Sequence, residues 1–194
     1  MTLDIRGLLS PVLSSRAPCI VVLAGSNGAG KSTFFREFLA PTGIACVNAD
    51  NVARSLNPGA VEALGYEAAR LAEAIRQDLV ARGETFCMET VFSDPQGEKV
   101  EFLRAAQAKG YIIIFVDIRI ASVELSRARV QQRVEAGGHD VPDDRLESRF
   151  ERTRRNAAAA LQFVDVGIVL NNSAVDAPFQ HVETWKDGML IKES

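Results

Sequence analysis

The chain has 194 residues, 47% of them hydrophobic, enough for one sizeable core, so a single domain spanning residues 1–194 is the default. A formal net charge of −3 gives no overall basic surface of the kind that nucleic acid or an anionic membrane selects. Three cysteines without paired spacing argue against a disulfide framework and point to a reducing compartment, the cytoplasm, and no apolar run reaches membrane-spanning length.

Residues 1–16 read as a short amphipathic helix or arm. The run from Cys19 to Ala24 is short, apolar and β-branched, as a buried parallel strand should be. It leads into Gly25-Ser26-Asn27-Gly28-Ala29-Gly30-Lys31-Ser32-Thr33, which fits G-x-x-x-x-G-K-[ST], the Walker A phosphate-binding loop. Glycines at 25, 28 and 30 let the backbone curl so that successive N–H groups share one concavity. The helix that follows adds unpaired N–H groups and the positive end of its dipole. In such a loop Lys31 reaches the β- and γ-phosphates and Ser32 places a hydroxyl on Mg²⁺. Phe34, Phe35 and Phe38 are expected on the buried face of that helix.

A second strand over residues 44–48 ends at Ala49-Asp50. A carboxylate at the carboxyl end of a parallel strand lies on the ligand face of an open α/β sheet, so Asp50 is a candidate general base or metal ligand. It is equally a candidate helix cap, with Asn51 beside it. After the breaker Asn57-Pro58-Gly59, a helical stripe of Val61, Leu64, Ala68, Leu71, Ile75 and Leu79 reads as core packing, closed by Gly83. A third strand, residues 85–88, delivers Glu89 and Thr90 to the same ligand face. Glu89 could orient substrate hydroxyls, hold water on Mg²⁺, or make a structural hydrogen bond. A helix from Glu98 to Lys109 and the strand 111–118 continue the alternation, which implies a parallel, doubly wound sheet.

Residues 122–160 are rich in arginine, but interleaved acids nearly cancel the charge. Arg145, Arg149, Arg152 and Asn156 recur along one helix face, beside an apolar stripe of Leu146, Phe150 and Ala157. Arg129 and Arg133 share a face of the preceding helix. Two such helices joined by the glycine loop 135–142 suit a lid over triphosphate, since guanidinium groups stabilise charge on a transferring phosphoryl group. Solvated ion-paired helices are the alternative. Arg154 and Arg155 fall off that face. A fifth strand over residues 164–170 is followed by Asn171-Asn172-Ser173, either a nucleobase contact or an Asn-rich turn. A hairpin around Asp187-Gly188 closes the chain, with Trp185 against the body. His139 and His181 stand apart, and no spacing suggests zinc.

These motifs in this order, from Ala24–Thr33 through Asn48-Ala49-Asp50, Glu89–Ser93, Arg133–Pro142 and Arg149-Phe150-Glu151-Arg152-Thr153 with Asn156, resemble the zeta toxin family of P-loop kinases. The resemblance covers about residues 18–173. It implies a three-layer, adenylate-kinase-like P-loop NTPase fold: a parallel sheet of about five strands, a lid near residues 122–156 and the C-terminal hairpin. It also implies ATP or GTP with Mg²⁺ as cofactors and phosphorylation of a hydroxyl of UDP-N-acetylglucosamine or a related sugar nucleotide. Asp50 would then be the base, Glu89 and Thr90 would contact substrate, and Arg133 with Arg149 or Arg152 would clamp the phosphates. Ser26 stands where the family commonly has proline, and Asn171 where many relatives carry Asp. The resemblance allows an antitoxin partner, of which the sequence itself shows no binding surface. Two other classes compete. An ATP-driven switch of the ABC type would need an LSGGQ-like signature and a strand ending in Asp-Glu, and the sequence has neither. A silent nucleotide-binding module would bind ATP without transfer.

Overall fold

The computed structural model describes residues 16–57, 59, 63–137 and 143–191. The expected N-terminal arm, Val61 and most of the glycine loop with His139 lie outside the described residues. Strand β1 (Cys19–Ala24) leads into α1 (Lys31–Phe34), which widens to a π-helical turn over Phe35–Leu39. Next come β2 (Cys46–Asn48), α2 (Ala49–Leu56), α3 (Gly65–Arg82), β3 (Phe86–Thr90) and α4 (Glu98–Ala108). Strand β4 (Ile112–Arg119), helices α5 (Val123–Glu135) and α6 (Asp143–Leu161), β5 (Val166–Asn171) and the hairpin β6 (Gln180–Lys186) and β7 (Met189–Ile191) complete the order.

One seven-stranded sheet runs β2-β3-β1-β4-β5-β6-β7. The first five strands in that order are parallel, and the hairpin adds the last two antiparallel. This is the P-loop NTPase architecture. Chain order reverses direction at β1, which pairs with β3 on one side and β4 on the other, so the crevice for ligand opens at its carboxyl end. All six β1 residues are buried. Alternate side chains enter opposite cores: Ile20 and Val22 pack with Phe86, Met88 and Phe115, while Val21 and Leu23 pack with Phe34, Cys87 and Ile114. The sheet is thus covered on both faces, as a parallel sheet must be.

Three local outcomes differ from the sequence expectation. Strand β2 begins at Cys46, not Ile44, and the next helix starts at once. Its cap is Asn48, whose side-chain oxygen accepts the Asp50 N–H at 2.7 Å. That leaves the Asp50 carboxylate in the first helical turn and not in the cap position. On α3 the buried line is Ala68, Ala72, Arg76 and Val80, whereas Leu71 is 41% exposed. Small side chains at 68 and 72 let that face approach the body closely, so the four-residue spacing wins over the larger apolar stripe. Inside β4, Asp117 is 2% exposed, its carboxylate 2.7 Å from Arg119 Nε. Burial raises its pKa, and Arg119 opposes the rise. The hairpin turns at Asp187 and Gly188, both with positive φ (50° and 73°), as a two-residue turn of the primed type requires. Among the described residues no helix is long and apolar enough to cross a membrane.

Candidate active site

The phosphate loop joins β1 to α1 at the sheet's switch point, and close packing explains its glycines. A Cβ at Gly25 would run into the Ile118 carbonyl, and one at Gly30 into the Asn172 side-chain nitrogen. Gly30, at φ 97°, is also the residue that turns the chain into α1. The carbonyl oxygens of the loop are tied one after another. Lys31 Nζ donates to Gly25 O at 2.9 Å and Ser26 O at 3.0 Å. Ser126 Oγ donates to Asn27 O at 2.7 Å, Arg129 Nη1 to Gly28 O at 3.2 Å, and Asn172 Nδ2 to Ala29 O at 2.8 Å. Asn172 therefore acts as a latch on the loop, and its own oxygen accepts the Phe179 N–H at 3.3 Å. Asn171 accepts the Ser173 N–H at 3.1 Å, the signature of an Asx turn.

Lys31 is only 9% exposed. Burial lowers the pKa of its ammonium; the Glu89 and Asp50 carboxylates raise it, and Arg133 lowers it further. All three groups thus act on the same ammonium from different elements. Such a lysine holds its proton less tightly folded than unfolded, so its contribution to stability grows as pH rises from the lowered value toward the ordinary one, about 10.4. Lys31→Met removes that contribution. Denaturation midpoints measured from neutral pH to about 10.4 should show wild type gaining on the variant as pH rises. Parallel profiles would contradict the burial assigned to this ammonium.

Glu89, near the end of β3, accepts a hydrogen bond from Ser32 Oγ at 2.7 Å. The two side chains present hard oxygen donors at the mouth of the loop. That donor chemistry fits Mg²⁺, which takes one or two protein oxygens and fills its shell with phosphate and water. Among the described residues no group of three or more His, Cys, Asp or Glu is placed to hold a metal by itself. Thr90 Oγ1 accepts the Phe92 N–H at 3.0 Å, shaping the turn after β3. Phe92 adopts φ 59°, rare for an aromatic residue, with its side chain fully buried and its ring 5.1 Å from Phe115.

Helix α6 holds that turn in place. Thr153 Oγ1 donates to Val91 O at 2.7 Å, Asn156 Nδ2 to Phe92 O at 3.1 Å and Asp94 O at 2.9 Å. Arg152 Nε donates to Ser93 O at 2.8 Å and Arg155 Nη2 to Pro95 O at 3.1 Å. Leu146, Phe150 and Ala157 are buried as the apolar stripe predicted. Arg152 is therefore engaged with backbone, whereas Arg149 lies half-buried between Arg145 and Arg152. Desolvation, then those two guanidinium groups, push the Arg149 pKa down, and Asp50 opposes them. Crowded cations beside one carboxylate make a local field that favours an anion. Asn156→Ala would strand two buried carbonyls in a strained turn, at a cost of about 1–3 kcal/mol. A denaturant midpoint equal to wild type would show that α6 does not brace the turn.

The structure thus joins Ser32 to Glu89 by a hydrogen bond; the charges of Glu89, Asp50 and Arg133 act on the neighbouring Lys31 ammonium, and that of Asp50 acts on Arg149 as well. Gly25, Ser26, Asn27, Gly28, Ala29, Gly30 and Thr33 all lie on the loop or at the start of α1. Sequence reasoning missed Ser126 and the loop-facing roles of Arg129 and Asn172. Their partners are backbone carbonyls far away in the chain, which leave no motif. A groove of about 370 Å³ between α2 and α3 is lined by Asn51, Val52, Ser55, Leu56, Leu71 and Ile75 among others. Of these, Val52 and Ser55 lie about half a turn round α2 from Asp50.

Comparison with known proteins gives the family and the fold. A family model described as Zeta toxin matches residues 8–177. A protein of Haemophilus influenzae, described as uncharacterized, is 27% identical over 130 residues, covering 67% of this chain and 91% of its own. The AvrRxo1-ORF1:AvrRxo1-ORF2 complex contains a similar chain. Solved with sulphate ions, it gives TM-score 0.71 at 21% identity, and with ATP 0.70 at 20%. Each match covers 91% of this chain, which spans only 61% and 60% of those chains. The PezAT chromosomal toxin-antitoxin system of Streptococcus pneumoniae gives TM-score 0.60 at 18% identity, covering 95% of this chain and 82% of that one.

Proposed function

The chain belongs to the zeta toxin family, and from that premise we propose that it is a phosphotransferase, a kinase that moves the γ-phosphoryl group of ATP or GTP to the hydroxyl of a small molecule. The observation that carries the reading is the glycine loop at the carboxyl end of β1, with buried Lys31 held on the Gly25 and Ser26 carbonyls and Ser32 Oγ on the Glu89 carboxylate at 2.7 Å. A neighbour solved with ATP supports the same choice of donor. UDP-N-acetylglucosamine or a related sugar nucleotide is the acceptor that the family resemblance offers.

In this reading, residues 25–33 hold the triphosphate through backbone N–H groups, and Lys31 leaves the Gly25 and Ser26 carbonyls to meet the β- and γ-phosphates. Ser32 and Glu89 would hold Mg²⁺, which supplies charge neutralisation on those phosphates when bound. Asp50 takes the proton of the acceptor hydroxyl as the new O–P bond forms and the bond to the nucleoside diphosphate breaks. Thr90 orients the acceptor. Arg133 and Arg149, with Arg152 behind them, balance charge on the equatorial oxygens. A cytoplasmic setting and an antitoxin partner fit the reading; PezAT is a toxin-antitoxin system.

The test is incubation with γ-labelled ATP or GTP and a panel of sugar nucleotides, nucleosides and simple sugars. The proposal predicts label on an acceptor, with little nucleotide consumed when none is present. Fast hydrolysis without any labelled acceptor would place the protein among switch ATPases. Binding with neither outcome would make it a silent nucleotide-binding module.

A further inference from the structure

We infer that Arg129 is a positioning residue for the phosphate loop, acting on bound triphosphate through the Gly28 carbonyl and not by touching nucleotide. This rests on the nucleotide reading above and adds a residue and a mode of action to it. A loop of this kind binds phosphate only if its N–H groups face inward. Because the peptide unit is planar and trans, fixing one carbonyl outward fixes the next N–H on the opposite side. The carbonyls of Asn27, Gly28 and Ala29 are held by Ser126, Arg129 and Asn172 in turn. Two of those three donors come from α5, one helical turn apart. Gly28 sits at the middle of this belt.

The helix is packed directly on the loop. A Cβ at Gly28 would stand 3.0 Å from Arg129 Cβ and 3.2 Å from Ser126 O, so only a glycine lets the helix come this close to the loop and brings the guanidinium within reach of the Gly28 carbonyl. The second arm of the guanidinium, Nη2, donates to Ser173 O at 3.2 Å. Arg129 thereby straps the loop to the turn after β5, where Asn172 supplies the third tie. Two carbonyls at a fixed separation suit the planar fork of arginine; an ammonium meets the pair only as a point charge. The half of α5 that carries Ser126 and Arg129 is then part of the phosphate cradle, and the phosphate-facing arginine of this helix is Arg133, one turn further on.

Calorimetric titration of ATP and of inorganic tripolyphosphate, each with Mg²⁺, tests this in wild type, Arg129→Met, Arg129→Lys and Ser126→Ala. Arg129→Met is expected to weaken both ligands by the same factor, about tenfold. Arg129→Lys should recover part of that loss, and Ser126→Ala should show a smaller loss, again equal for the two. The melting temperature of unliganded Arg129→Lys should stay near wild type. Weaker ATP binding with tripolyphosphate untouched would overturn the inference, because the arginine would then be reading the base. Unchanged binding of both would overturn it as well. If Arg129→Met does not fold, Arg129→Lys and Ser126→Ala decide the matter by the same comparison. Failure of wild type to bind either ligand would instead sink the nucleotide reading, and this inference with it.

Discussion

Lys31→Ala is expected to lower phosphoryl transfer by about 10³-fold, the loss seen when a preorganised donor is removed from a site of developing charge. The side chain is buried against its own loop, with its ammonium on two loop carbonyls. It has already given up most of its water, so little reorganisation is needed when phosphate displaces those carbonyls. Its lowered pKa reflects the same burial, opposed by Glu89 and Asp50. Alanine removes the cation and leaves both carboxylates facing the triphosphate, which adds repulsion to the lost attraction. Single-turnover transfer to the acceptor found in the labelling panel measures the effect. A loss of less than about tenfold would mean that the lysine contacts no transferring phosphate.

Asp50→Asn is expected to lower turnover by about 10²–10⁴-fold while ATP binding stays near wild type. The substitution keeps the shape and removes the proton acceptor. The cap of α2 belongs to Asn48 and the Asp50 backbone N–H, so the helix start does not depend on the carboxylate. The change therefore separates chemistry from folding. Loss of one negative charge beside Arg149 should, if anything, favour anionic ligand. Normal turnover in this variant would show that Asp50 is not the base.

The sheet was legible because its strands are continuous apolar runs between glycine and proline punctuation, and β1 with its loop also carries a spacing tied to chemistry. Helix α6 was legible from its stripe of Leu146, Phe150 and Ala157. What could not be read were the contacts that cross the chain. Arg152 stands on the face expected to meet phosphate, yet the structure spends its Nε on Ser93 O. Asn172 looked like a turn residue or a base contact and proved to hold Ala29. Leu71 and Ala72 exchanged places between surface and core because packing distance, not hydrophobicity alone, decides which face of α3 approaches the body. In each case the deciding partner is a backbone atom or a neighbouring element tens of residues away, which local periodicity does not encode.

Everything proposed for the chemistry depends on where the triphosphate sits. A crystal structure with Mg²⁺ and a non-hydrolysable ATP analogue would locate it. The β- and γ-phosphates are expected within the curve of residues 25–33, with Lys31 Nζ moved from the Gly25 and Ser26 carbonyls onto them and the Asp50 carboxylate across the cleft from the γ-phosphate. Phosphates bound elsewhere, or an Asp50 carboxylate turned away from them, would contradict the kinase reading.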